Sequence, residues 1–184
     1  MSLPQITIAR KLGSTALMDR VHQITKLAAY VGIPAADAAA RQKQLLSMAS
    51  GKGRKSARLQ KAAQQDVSNA ELLFIHTKGS PLKHIPARPV IEPAVQASGN
   101  KEPITREIAA SVKASLAGDK DGAAKFMTRA AISGQTAARK WFTDSRNGWA
   151  PNTPGTIKRK GSDRPLIDSG EFRAAIVGIT RTEE

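Results

Sequence analysis

Two neighbouring stretches decide the fold class: EPITREIAASVKASLA at residues 102–117 and AAKFMTRAAISGQTAARKWFT at residues 123–143. The first has a large aliphatic residue at every fourth position, which predicts an amphipathic helix: Ile104, Ile108, Val112 and Leu116. In the second, the expected inward positions are Phe126, Ala130, Ala137 and Trp141. The glycine-flanked segment at 118–122 separates them. We therefore expect two long helices joined by a tight turn.

Shorter patterns on either side predict the rest of the fold. Residues 5–9 and 176–180 have the alternation or β-branched content of short strands. The apolar run at 27–33, which ends at Pro34, is either a strand or the continuation of a helix over 14–26, and we favour the strand. Short helices are expected at 90–97 and 171–175. The sum is an α+β fold, a small antiparallel sheet packed against several helices.

The chain is expected to form a single domain over 1–184, with two irregular regions. Residues 35–65 are rich in Ala, Gln, Lys and Arg and are interrupted by Ser50-Gly51-Lys52-Gly53, which predicts two helical pieces in an exposed basic insertion or arm. Residues 147–165 are rich in Pro, Gly, Asn, Lys and Arg, which predicts an extended loop. Between them, the closely spaced prolines of IPARP at 85–89 predict a stiff, non-helical corner.

Composition limits the partners. The 29 Lys and Arg against 15 Asp and Glu give a formal charge of +14, which favours phosphates, acidic membranes or acidic protein surfaces. The absence of cysteine excludes disulfides and thiolate metal sites. The apolar runs are far shorter than the ~20 residues of a membrane helix, and the N-terminus lacks the pattern of a secretion signal. We expect a protein made in the cytoplasm, with no membrane contact.

No pattern typical of an enzyme is found. The three histidines, His22, His76 and His84, lack metal-ligand spacing, and Asp119 and Asp121 lack the rest of a calcium loop. Ser169 lies outside the pattern of a nucleophile elbow and is better interpreted as a helix cap. Glycine-rich phosphate loops are also missing. We expect no catalytic residue, no metal and no cofactor.

A nucleic-acid-binding regulator is the alternative function. The sequence of residues 27–42 resembles a helix-turn-helix, with Gly32 at the turn, and the net charge supports contact with phosphates. However, the segment that would enter the groove, residues 34–38, offers mainly alanine and one acid, Asp37, where base readout wants Arg, Asn or Gln. Non-specific contact of a basic surface with DNA is the more plausible interpretation.

Two segments together carry a resemblance to a known group. The first is NAELLFIHTKGS at 69–80, continuing to IPARPVIEPA at 85–94. The second is GWAPN at 148–152, then TIKRKGS at 156–162 and PLIDSGEFRAAI at 165–176. In order and spacing they resemble the neck, tail-completion and virion-morphogenesis proteins of tailed bacteriophages. The chain differs from that pattern at Thr77-Lys78, where the family has Glu-Phe, and at Val90, where it has Phe.

The resemblance implies a non-enzymatic virion protein of the head–tail junction, assembled as a closed homo-oligomeric ring of about six or twelve copies. Its implied partners are portal or connector, tail terminator or tail tube proteins, and possible non-specific contact with phage DNA. The expected subunit-interface residues are Arg88, Pro86, Pro89, Trp149, Pro151, Ile157, Lys158, Arg159, Leu166 and Phe172. Two alternatives stay open: Arg88 can pair within its own subunit, and Trp149 can cover the edge of its own core.

Overall fold

A computed structural model describes residues 14–34, 38–49, 53–64 and 67–183. The helices are α1 (Ser14–Lys26), α2 (Ala38–Met48), α3 (Arg54–Ala63), α4 (Asn69–Lys78), α5 (Ile91–Gln96), α6 (Lys101–Ala117), α7 (Lys120–Trp141), α8 (Pro154–Lys160) and α9 (Glu171–Ala174). The strands are β1 (Leu27–Gly32) and β2 (Val177–Thr182), and two 3-10 turns lie at Pro81–Lys83 and Ser145–Asn147. The strand expected at 5–9 lies outside the described residues.

The α6–α7 hairpin confirms the two long helices. Gly118 ends α6 in a left-handed conformation, and the Asp119 side chain accepts a 2.8 Å hydrogen bond from the backbone N–H of Gly122, which caps α7. Six of the eight buried residues of α7 are small: Ala123, Ala130, Ala131, Gly134, Ala137 and Ala138. The other two are Met127 and Trp141. Small side chains let the neighbouring elements approach the α7 backbone closely.

The aliphatic stripe of α6 is less buried than its spacing suggests. Ile108 and Leu116 are 36% and 39% exposed. The buried positions of α6 are Ser111 and Ser115, and the Ser111 hydroxyl donates a 2.7 Å hydrogen bond to the Ala123 carbonyl. Because α7 offers mainly alanine here, the closest contact between the helices runs through small residues, and part of the stripe stays on the surface.

A two-stranded antiparallel sheet lies on α7. β1 and β2 pair from Leu27↔Thr182 to Gly32↔Val177, which confirms the strand interpretation of this apolar run and the α+β class. Gly178 lies so close to the α7 backbone that a Cβ there would overlap the Ala131 carbonyl. The Gly178 N–H donates a 2.8 Å hydrogen bond to the Gln135 side chain, also on α7. Glycine is therefore needed where β2 crosses the helix.

Two expectations are corrected, those for 27–42 and for 147–165. The helix-turn-helix interpretation of 27–42 fails because its first element is β1. The two helical pieces expected in 35–65 are α2 and α3, which form a hairpin with a small core of its own: Leu45, Ala49, Leu59 and Ala63. That this region is an insertion or arm stays a prediction. The region 147–165 is extended only in part, because 154–160 is helix α8. Thr153 caps α8, Pro154 occupies its first turn and Gly161 ends it.

The main core joins the middle of the chain to its C-terminal segment. Its fully buried members come from α5, α7 and the approach to β2: Val90, Ala94, Ala138, Trp141, Phe142 and Ile176. Half-buried residues close its edge, among them Trp149, Leu166 and Phe172. No helix in the described part of the chain is long and apolar enough to cross a membrane.

Candidate functional site: the junction of two distant segments

Arg88 links the double-proline corner to a loop more than sixty residues away. Its side chain is only 7% exposed. Nε and Nη2 donate to the Ala150 carbonyl at 3.2 and 2.8 Å, and Nη2 also donates to the Pro151 carbonyl at 3.2 Å and to Asn152 Oδ1 at 3.5 Å. The backbone N–H of Arg88 donates to the His76 carbonyl at 2.6 Å. A planar, five-donor guanidinium suits this convergence of carbonyls.

Trp149 makes the second link between the same two segments. Its indole Nε1 donates a 3.0 Å hydrogen bond to the Pro89 carbonyl. Its ring meets Phe142 edge to face, with centroids 5.7 Å apart and an interplanar angle of 90°. Pro86 and Pro89 have no backbone N–H, so this corner has few donors for its own carbonyls. The Pro89 carbonyl therefore needs a donor from another part of the chain, and Trp149 supplies it. Trp149 therefore covers the edge of its own core.

The segment after Trp149 is held against the end of α8. The Asn152 side chain accepts from Arg88 and donates through Nδ2 to the Asp163 carbonyl at 2.9 Å, which closes the loop around the helix. α8 projects from this closed loop with three exposed residues in its second half: Ile157, Lys158 and Arg159. The junction thus presents a short basic helix to solvent.

A buried polar cluster ties the last part of the junction to α4 and α2. Glu171 is 4% exposed and accepts a 2.6 Å hydrogen bond from Asn69 Nδ2, and Arg41 Nε lies 3.6 Å from the same carboxylate oxygen. The Arg41 side chain also donates to the Val67 carbonyl at 2.8 Å. A buried carboxylate needs such partners, so Glu171 fixes how α9 docks against α4. The ring of Phe172, the next residue, packs against that of Phe142, with the ring centroids 5.8 Å apart.

The structure divides the expected interface residues into two groups. Arg88, Pro89, Trp149, Leu166 and Phe172 are buried or half-buried and make contacts within the chain. Arg88 and Trp149 make the intramolecular contacts that the alternative described, with the junction's own carbonyls and aromatic rings. Their part in a subunit interface stays a prediction. The exposed group remains a prediction for contact with partners: Pro86, Pro151, Ile157, Lys158 and Arg159.

Sequence reasoning missed the polar cluster and two exposed apolar side chains. No spacing signal connects Arg41, Asn69 and Glu171, which meet only through the tertiary fold. Phe74 and Leu82 are 67% and 96% exposed. A sequence signal for Leu82 does exist, because it follows Pro81 and precedes Lys83 in a turn, where no neighbouring residue can cover its side chain.

A cleft of about 290 Å³ opens beside the junction. It lies between the α2–α3 hairpin on one side and α4, α8 and the 166–172 segment on the other. Burial lowers the pKa of His76 below its usual range, and the nearby charge of Arg88 lowers it further. Burial likewise lowers the pKa of Arg88. Within the described ranges, no group of three or more His, Asp or Glu side chains is placed to hold a metal ion.

Comparison with protein families, with curated proteins and with solved structures finds no match for the chain.

Proposed function

We propose that this chain is a structural, non-enzymatic component of a tailed-phage virion, a neck or tail-completion protein that acts by assembling into a ring at the head–tail junction. One observation supports the proposal most. The two segments that carry the sequence resemblance are far apart in the chain, yet they pack directly on each other through Arg88 and Trp149. Motifs that meet in this way are expected of one conserved structural unit rather than of two chance similarities.

Exposed apolar side chains on the first of these segments supply the docking surface. Leu82 projects from the 3-10 turn at Pro81–Lys83, which is closed by reciprocal backbone hydrogen bonds of 2.8 and 2.9 Å between Ser80 and Ile85. Phe74, on the neighbouring α4, is 67% exposed. Large apolar groups held rigidly in solvent are typical of protein–protein contact surfaces, because covering them releases water at little entropic cost. The proposed occupant is a second copy of the chain.

Charge gives the second element of the mechanism. The net charge of +14 and the exposed Lys158 and Arg159 on α8 suit a surface that faces either the genome's path or an acidic neighbour such as a portal, connector, tail terminator or tail tube protein. Ring closure through head-to-tail contacts would repeat this basic surface around the axis, with about six or twelve copies as the resemblance implies.

The test combines light scattering with negative-stain electron microscopy of the purified protein. The wild type should form closed rings, and F74S/L82S should shift the population to monomer while keeping its helical circular dichroism. The matched control is Leu46→Ser, which removes a side chain that is 50% exposed on a different helix, α2. It should leave the rings intact.

Three results would contradict the proposal. The first is a wild type that stays monomeric at all accessible concentrations and is missing from purified particles. The second is equal loss of rings in F74S/L82S and in Leu46→Ser, which would remove the role of this docking surface. The third is a salt-dependent DNA affinity with a preference for one site, which would favour the regulatory alternative instead.

A further inference from the structure

The cleft beside the junction has the composition of a ligand site. Five apolar side chains from the hairpin and the junction form its walls: Leu45, Leu59, Leu72, Leu166 and Phe172. Charged and polar residues complete its lining, among them His76, Arg88 and Asn152. A volume of about 290 Å³ suits one amino-acid-sized group rather than a cofactor.

The guanidinium of Arg88 lacks a balancing anion. All its side-chain partners are neutral oxygens, and no carboxylate in the described part of the chain lies within 4.0 Å of it. Of the two acids that line the cleft, Glu171 pairs with Asn69 and Arg41, and Asp168 has a partner of its own. A buried cation balanced only by carbonyl dipoles favours an incoming anion.

One further polar atom of the lining residues, Nδ1 of His76, is buried without a hydrogen-bond partner. Arg41 Nε makes no hydrogen bond either, but it is already paired with the Glu171 carboxylate 3.6 Å away. Leaving a buried polar atom without a partner is destabilising, so a ligand that satisfies Nδ1 of His76 gains binding free energy. When Nδ1 carries the proton it is a donor, and a donor requires an acceptor such as a carboxylate oxygen.

We propose that this cleft binds a carboxylate carried by an apolar group, with the carboxylate beside Arg88 and His76 and the apolar group against Leu45, Leu59 and Leu72. A carboxylate fits better than a phosphate because the apolar walls are mainly aliphatic, and because Asp168 and Glu171 in the lining disfavour a ligand with two negative charges. The same chemistry is found in a free aliphatic acid and in the C-terminal residue of a peptide chain. The site is independent of the proposed ring, since neither Phe74 nor Leu82 lines the cleft.

Histidine NMR on the full chain gives a direct test, because His22 and His84 are exposed and serve as internal controls. Titration with hexanoate should shift the His76 ring resonance alone and raise the pKa of His76, since a bound anion favours the imidazolium. Hexanamide has the same apolar body without the charge and should bind at least ~10-fold more weakly. Lys160, Asp168, Glu171, Arg41 and Arg88 also face the cleft, so both ligands are compared at one ionic strength.

Two variants distinguish binding of hexanoate in the cleft from non-specific binding elsewhere on the protein. His76→Phe removes the unpartnered nitrogen but keeps a ring against Phe172, so it should fold and bind hexanoate ~5–10-fold more weakly by calorimetry. Its matched control, His22→Phe on exposed α1, should bind as the wild type does. Equal affinity for hexanoate and hexanamide, or equal shifts at all three histidines, would overturn the proposal.

The source of the carboxylate is resolved by a second pair of probes. Acetyl-Ala-Leu with a free C-terminus is compared with its C-terminal amide. If the acid form binds more tightly than hexanoate, the natural ligand is the end of a peptide chain. If hexanoate binds more tightly, the ligand is a small free acid. Failure of all four probes to perturb His76 would refute the site and would leave the proposed ring untouched.

Discussion

Replacing Arg88 by methionine should destabilise the fold strongly, because the guanidinium joins the two segments of the junction. Methionine keeps most of the aliphatic stem, so the change removes mainly the hydrogen bonds to Ala150, Pro151 and Asn152. Hydrogen bonds from a charged donor are worth ~1.5–3 kcal/mol each, and the buried acceptors lose their partner. Relief of the cost of burying the cation offsets part of this loss.

The net cost of Arg88→Met should be about 2–4 kcal/mol, which corresponds to roughly 5–15 °C in Tm for a chain of this size. The assay is urea unfolding followed by Trp fluorescence and circular dichroism, with thermal unfolding as a second measure. Arg106→Met, at an exposed position of α6, is the matched control and should change stability by less than about 0.5 kcal/mol. The reasoning is refuted if the two variants unfold at the same urea concentration.

Three other perturbations follow from the same contacts. Gly178→Ala places a methyl group into the α7 backbone and should cost roughly 2–4 kcal/mol in urea unfolding, whereas Gly155→Ala, in open space on α8, should be neutral or slightly stabilising. Trp149→Phe loses one hydrogen bond and some packing and should cost about 1–2 kcal/mol, with unchanged helix content by circular dichroism. The pKa of Asp144 is held at about 2 by hydrogen bonds from Arg146, so its contribution to stability is present above the ordinary value of 3.8 and is lost as the pH falls through about 2. Carboxyl NMR should find the Asp144 pKa raised toward 3.8 in Arg146→Met, with part of the lowering kept because the backbone N–H of residue 146 still donates to Asp144; an unchanged titration would rule out the side-chain pairing.

The elements that the sequence predicted well are those with strong local signals. The α6 and α7 helices follow from their length and periodicity, and Gly118 with Asp119 fixes the turn between them. β1 could be distinguished from a continuing helix because Pro34 follows it closely and because it contains an aromatic residue, Tyr30, and a β-branched residue, Val31. Local sequence was sufficient in these places because local and tertiary preferences agree.

Other features were decided by tertiary contacts that have no local signature. The α2–α3 hairpin looked exposed because alanine and charge dominate it, yet Leu45 and Leu59 meet across the hairpin and bury each other. α8 was missed because it begins with Pro154 and Gly155, which are typical of loops, although Thr153 and Gly161 are good caps. Arg88 was considered for an interface, and its use within the chain depended on the position of a distant loop that spacing does not encode.

Native mass spectrometry of the purified full chain, followed by protein identification in purified phage particles, tests the proposed function most directly. The account predicts a discrete assembly whose mass is a multiple of the 19.6 kDa chain, about six or twelve copies, and a chain recovered from intact virions. A single 19.6 kDa species at micromolar concentration, together with particles that lack the chain, would contradict it.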